Sequence, residues 1–222
     1  MSFTIALDGP AGAGKSTIAK ELARRLSFVY VDTGAMYRAL AYLVLISGED
    51  PQDEEAVRDV LSGASVTISY QNGKQCVFLD GRDVTEFLRS EDVGNAASVI
   101  SQYPDVRSKL LDLQRELAAS KDVIMDGRDI GTTVLPHADV KIYLTAAVST
   151  RAKRRYDELT ARGQTCDLAL IEEDIRERDL RDKNRKVSPL RMAEDAHLVD
   201  SSDLSVDEVC DAIIAIVRSK RS

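Results

Sequence analysis

Apolar residues recur along this chain with two alternating periods. Five short runs, Phe3–Asp8, Phe28–Val31, Val123–Met125, Val140–Thr145 and Leu198–Val199, read as buried parallel strands, each followed by helical periodicity or polar turn residues. The pattern predicts βα alternation around one sheet. At helical spacing, Val106, Leu110, Leu113 and Leu117 form a stripe that starts just after Pro104, a residue suited to an early helix position. A last helix places Val206, Val209, Cys210, Ile213 and Val217 on one face, with Ser205 and Glu208 spaced as a capping box. Residues 65–84 break the alternation. Two β-type runs flank Asn72-Gly73, a strong hairpin signal, after a lead-in at Gly48-Glu49-Asp50-Pro51. They predict a small antiparallel lobe carried on the core, with plain decoration as the alternative.

With 222 residues, 44% of them hydrophobic, the chain can bury one substantial core, so a single domain over residues 1–222 is expected. No window approaches about 18 apolar residues and no basic stretch precedes an apolar one at the start. Neither a membrane span nor a signal peptide is expected, which points to the cytoplasm. Cys76, Cys166 and Cys210 are odd in number and far apart, fitting reduced thiols, expected as buried small hydrophobes, better than disulfides or a zinc site. The formal charge of -7 argues against a nucleic-acid polymer as partner. That charge is uneven: residues 151–186 alone are net basic, with 11 cationic against 9 acidic side chains. An arginine-dense segment in an acidic chain suits small phosphates rather than a polymer.

Directly after the first apolar run comes Gly9-Pro10-Ala11-Gly12-Ala13-Gly14-Lys15-Ser16, with the spacing of a phosphate-binding P-loop. Its backbone N–H groups and the following helix dipole would hold phosphate oxygens. Lys15 would reach the β- and γ-phosphates, and the Ser16 hydroxyl would hold Mg²⁺. A glycine-rich turn that binds nothing is the alternative.

Three further motifs bear on the fate of the γ-phosphate. Asp32-Thr33-Gly34-Ala35-Met36-Tyr37-Arg38 follows the second strand and should border the same crevice, unless Asp32-Thr33 is only a helix cap and Arg38 a solvated charge. Asp126-Gly127-Arg128-Asp129-Ile130-Gly131 follows the third strand; Asp126 stands where P-loop proteins often put a carboxylate near magnesium, and an Asp–Arg turn is the alternative. In the run Arg178 to Arg185, helical geometry puts Arg178, Asp182 and Arg185 within about 60° of one another. Upstream, Arg151, Arg154, Arg155 and Arg162 on a helix ending near Gly163 complete a helix pair that could close as a lid, or remain a solvated surface.

Together these motifs, with Pro189-Leu190, closely resemble those of the bacterial cytidylate kinases (CMP kinases) of the nucleoside monophosphate kinase superfamily, from Thr4 to about Val217. The resemblance implies a P-loop NTPase-type five-stranded parallel sheet flanked by helices, a short lid at about 151–170, and a monophosphate-binding insert at about 35–105 containing a small antiparallel sheet. It implies ATP- and Mg²⁺-dependent transfer of the γ-phosphoryl group to CMP or dCMP, giving the diphosphate. Carried over by position, the ATP site comprises Gly9, Pro10, Ala11, Gly12, Ala13, Gly14, Lys15, Ser16, Thr17 and Arg154, with the metal on Ser16. Ser98, Arg107 and Asp129 match positions that read cytosine, and Arg38, Arg128 and Arg185 match arginines on the acceptor phosphate. Asp32 and Thr33 join that site, Arg178 and Asp182 match sugar and phosphate contacts, and Lys15, Asp126, Arg128 and Arg185 are the catalytic set. Position 33 is Thr where related enzymes often have Ser, which preserves the hydroxyl.

No nucleophilic side chain is required, because the acceptor phosphate attacks; His137 and His197 therefore need no catalytic role. Two competing readings stand at this point. One is a P-loop kinase for another acceptor, such as UMP, dTMP, GMP or a small alcohol. The other is a nucleotide switch, which the lack of any lysine preceded by Asn or Thr disfavours. No exposed apolar stripe demands a partner, so a monomer is expected.

Overall fold

Short buried strands alternate with amphipathic helices in the computed structural model, which describes residues 2–221. In chain order, β1 (Thr4–Asp8), α1 (Lys15–Leu26), β2 (Val29–Asp32) and α2 (Thr33–Ile46) are followed by α3 (Glu54–Leu61). A hairpin sheet comes next, β3 (Val66–Gln71), β4 (Lys74–Leu79) and β5 (Arg82–Asp83), then a 3-10 turn at Thr85–Arg89, α4 (Glu91–Ile100) and α5 (Pro104–Ala119). The chain returns as β6 (Val123–Gly127), makes a π-helical turn at Ile130–Val134, and continues through β7 (Val140–Thr145), α6 (Val148–Ala161), α7 (Leu168–Asn184), β8 (His197–Asp200) and α8 (Val206–Arg221).

The five core strands run parallel in the order β2-β6-β1-β7-β8, while β3-β4-β5 form a separate antiparallel sheet. Strand alternation feeds two apolar layers. Ile5, Leu7, Ile124 and Ile142 face α1 and α8 on one side, whereas Ala6, Val31 and Met125 face α2 and α5 on the other. The second layer continues through Leu40 and Val44 of α2 to Val57 and Leu61 of α3 and to Val77 and Leu79 of the hairpin. The lobe therefore shares its apolar packing with the sheet. Asn72 and Gly73 both take positive φ, 52° and 75°, as a two-residue type I′ hairpin requires. Asp80 and Gly81 repeat this between β4 and β5, a turn not anticipated from the sequence. The Ser205–Glu208 capping box forms, each backbone N–H donating to the other side chain, at 2.8 and 3.3 Å.

Several expectations are corrected. Leu198 is 61% and Val206 44% exposed, because β8 is an edge strand and the first turn of α8 lies beyond the sheet it covers. Asp126 and Gly127 belong to β6 rather than following it. Helix α7 stops at Asn184, so Arg185 does not share its face: it is the extended C-cap, where Leu190 N–H turns back to the Asp182 carbonyl at 2.8 Å. Arg162 likewise caps α6. Only Cys210 of the three free thiols is buried.

One glycine fixes how the loop after β1 leaves the sheet. A Cβ on Gly9, whose φ is +150°, would lie 1.9 Å from the Leu144 carbonyl oxygen of the neighbouring strand, a backbone atom that cannot move aside. Gly9→Ala is expected to destabilise the protein by about 3 kcal/mol or more, measured by urea unfolding. A change below about 1 kcal/mol would contradict the packing described.

Candidate active site

Three loops leave the carboxyl ends of β1, β2 and β6, neighbours at the point where an open α/β sheet forms its crevice. Between them, α4, α5 and the α6–α7 pair lies a cavity of about 470 Å³. Nine cationic side chains and five carboxylates line it, a surplus of four positive charges inside a chain whose net charge is -7. Such a wall is costly to desolvate and is suited to a highly charged anion.

On the P-loop side, Gly14 caps α1 and Lys15 opens it, with Nζ turned back to donate to the Pro10 carbonyl at 2.7 Å. Burial first, then the charge of Arg128, holds this ammonium well below its usual range. Ser16 Oγ donates to Asp126 Oδ2 at 2.8 Å, and the Tyr30 hydroxyl donates to the other oxygen at 3.3 Å. Burial, and then Asp32, push the Asp126 carboxyl up to about 6. A hydroxyl and a carboxylate are hard oxygen donors of the kind Mg²⁺ takes beside phosphate oxygens and water. Among the described residues no cluster of three or more His, Cys, Asp or Glu could hold a metal ion.

Opposite, Asp32 caps α2 through the Ala35 N–H and holds Arg38 Nη2, both at 2.9 Å, so the cap and the pairing coexist. Thr33 Oγ1 donates to the Asp126 carbonyl at 2.7 Å. Asp129 pairs with Arg107 through one oxygen and with Arg185 through the other at 3.1 Å, all three buried. Arg128 turns away from Asp129 to Asp182, at 2.9 Å. Ser98 accepts from Arg181 at 3.3 Å. Arg178 differs from these: its buried Nε has no hydrogen-bond partner, and burial followed by the neighbouring Arg128 pulls the guanidinium down to about 10.

In the α6–α7 pair, Arg151 is pinned rather than free, donating to Ala11 and Ala146 carbonyls at 2.8 and 2.9 Å and pairing with Asp179 at 2.7 Å. Arg154 reaches back to the Ser201 carbonyl at 2.5 Å. The cavity wall thus gathers Ala11, Gly12, Gly14, Lys15, Ser16, Thr17, Asp32, Thr33, Arg38, Ser98, Arg107, Asp126, Arg128, Asp129, Arg154, Arg178, Asp182 and Arg185. Gly9, Pro10 and Ala13 stand behind it: Gly9 packs on β7, Pro10 receives Lys15, and Ala13 is buried. His137 and His197 are exposed elsewhere.

Sequence reasoning overlooked Asp8. Its two oxygens accept the Ile130 and Gly131 N–H groups at 2.8 and 2.7 Å, fastening the π-helical turn that follows Asp129. A carboxylate directly after the apolar run Ile5-Ala6-Leu7 was the available signal. Tyr30, Arg181 and the Arg151–Asp179 pair left no comparable mark.

The cytidylate kinase family model matches residues 5–219. A cytidylate kinase of Leuconostoc mesenteroides is 49% identical over 221 residues, 100% of this chain and 99% of that one, and one of Geobacillus sp. strain WCH70 is 49% identical over 219 residues, 99% and 98%. The chain belongs to the cytidylate kinase family. It is accordingly a nucleoside monophosphate kinase, a phosphotransferase. A solved structure of a protein from Eubacterium ventriosum aligns over 98% of this chain and 99% of its own with a TM-score of 0.54 at 13% identity, a likeness of fold alone. Membership in the cytidylate kinase family accounts for the P-loop and arginine motifs occurring together, since phosphoryl transfer between two nucleotides needs both.

Burial pushes the Asp8 carboxyl up to about 6 against the two N–H bonds that favour its charge. With the folded value above the unfolded one, the folded chain holds more protons between them, so Asp8's contribution to stability falls as pH rises from about 4 to about 6. Carbon-detected NMR titration of the unliganded protein should give Asp8 a midpoint near 6; a midpoint near 3.8 would contradict this environment.

Proposed function

We propose that this kinase transfers the γ-phosphoryl group of ATP to CMP or dCMP in the presence of Mg²⁺, yielding ADP and the nucleoside diphosphate. The observation that carries the reading is the cationic surplus of the cavity, with half-buried Arg178 in its wall holding a buried Nε that has no hydrogen-bond partner. A single triphosphate on the P-loop leaves the far arginines without an anion, whereas a second, monophosphorylated nucleotide supplies one. The names of the family and of its cytidylate kinase relatives supply the acceptor.

In this reading the P-loop and Lys15 bind the donor's β- and γ-phosphates, and Ser16 with Asp126 would hold the metal. When bound, Mg²⁺ neutralises charge on the β- and γ-oxygens and fixes their orientation. Arg38, Arg128, Arg178 and Arg185 hold the acceptor phosphate in line, so that its oxygen forms the new bond to the γ-phosphorus as the β–γ bridge breaks. Arg128 and Arg185 are kept in place by Asp182 and Asp129. Asp129 reads the cytosine amine with lone pairs left over from its two arginine bonds, while Ser98 and Arg107 stand beside it. Arg154 leaves Ser201 for ATP as the α6–α7 lid, residues 151–170, closes and excludes water. The insert, residues 35–105, closes over the acceptor within one domain spanning 1–222.

We further infer a cytoplasmic monomer that binds neither nucleic-acid polymer nor membrane. Cationic charge is concentrated in the cavity wall, and among the described residues no helix is long and apolar enough to cross a membrane.

An acceptor panel run with ATP and Mg²⁺ tests the assignment. CMP and dCMP should turn over, and UMP should be about ten- to a hundredfold poorer in kcat/KM, the cost of one charge-assisted hydrogen bond. Equal use of CMP, UMP and GMP, or ATP hydrolysis indifferent to any acceptor, would overturn it.

A further inference from the structure

Strand β2 is an edge of the core sheet, with main-chain groups turned outward that no sixth strand pairs. Side chains of the hairpin occupy them instead. Gln75 of β4 is hydrogen-bonded at both ends of its amide: Oε1 accepts the Asp32 N–H at 2.9 Å and Nε2 donates to the Asp32 carbonyl at 3.0 Å. Its cross-strand partner Tyr70 donates its hydroxyl to the Tyr30 carbonyl at 3.2 Å, two residues earlier on the same strand.

Position 75 is where a polar residue is least expected. By strand alternation Gln75 lies on the same face of β4 as Val77 and Leu79, both buried in the apolar layer. A glutamine in line with that face breaks the binary pattern, and its two bonds to Asp32 account for it. Asp32 is the one residue of β2 whose side chain reaches the acceptor side, capping α2 and holding Arg38. Arg38 packs close over Gly34, where an added Cβ would come within 2.9 Å of its Nη1, so the pairing with Asp32 uses the space that the missing side chain leaves.

We propose that Gln75 is a positioning residue for the acceptor site: its amide fixes the Asp32 main chain, and through Asp32 sets Arg38, so that the antiparallel lobe and the acceptor-phosphate arginine are placed together. The proposal rests on Arg38 serving the acceptor, as proposed above. The effect is expected on one substrate, because both hydrogen bonds of the Gln75 amide go to Asp32 and neither goes to the P-loop.

The test is steady-state kinetics of the full-length chain with ATP and CMP varied separately, for wild type, Gln75→Met and Gln75→Glu, alongside urea unfolding of each. Methionine keeps the length and removes both bonds. Glutamate still accepts from the Asp32 N–H but has no donor for the carbonyl. Gln75→Met should raise the KM for CMP by about tenfold and leave the KM for ATP within about twofold, with Gln75→Glu between it and wild type. A folded Gln75→Met protein with unchanged KM for CMP, or with equal losses for both substrates, would overturn the positioning role. A wild type that turns over ATP with another acceptor but not with CMP would instead overturn the acceptor assignment, and the proposal with it.

Discussion

Burying guanidinium groups faster than carboxylates can neutralise them is the constraint on which the rest of this molecule turns. Desolvation of a charge is expensive unless a partner satisfies it, and removing one member of a buried pair costs about 3–5 kcal/mol. Arg107, Arg128, Arg151 and Arg185 each receive an aspartate. Arg178 receives none within hydrogen-bond reach, among the described residues. The aspartates come from different elements: Asp129 from the segment after β6, Asp179 and Asp182 from α7. Pairing the cations therefore also ties the elements around the crevice to one another.

The apolar architecture makes this polar centre possible without contributing to its chemistry. Two hydrophobic layers clamp the sheet, so the carboxyl ends of β1, β2 and β6 are fixed to each other by strand register. Asp8, at the end of β1, fastens the turn beyond Asp129 across the β1–β6 pairing. Burial disfavours the charge of Asp8 and Asp126, and the Lys15 ammonium beside them, itself disfavoured by burial, offsets only part of that cost. Such sites trade stability for readiness to bind.

Local signals were legible in the sequence, and pairings were not. The P-loop spacing, the hairpin turn at Asn72-Gly73 and the apolar runs that become core strands depend on neighbours within a few residues, and each could be read directly, whereas the order of those strands in the sheet could not. Asp129 could be picked out as a site residue, but its partners lie 22 and 56 positions away, and only the packed fold selects Arg107 and Arg185 over the adjacent Arg128. Counting helical turns carried Arg185 onto α7, because nothing local announces that the helix stops at Asn184. Arg151 read as a lid residue by its place in a basic segment, yet two of its three bonds reach a loop more than a hundred residues earlier and a second helix. Edge-strand pairing by Gln75 was invisible for the same reason: the sequence marks it only as a polar residue among apolar ones.

The central claim is that the unneutralised guanidinium charge is reserved for the acceptor's phosphate. Isothermal titration of CMP and of cytidine into wild-type protein and into Arg178→Ala measures it directly. Wild type should bind CMP about a hundredfold or more tighter than cytidine, the worth of two charge-assisted hydrogen bonds, and Arg178→Ala should lose much of that margin while its cytidine affinity stays the same. Equal affinity of the wild type for CMP and cytidine, or an undiminished margin in Arg178→Ala, would contradict the claim.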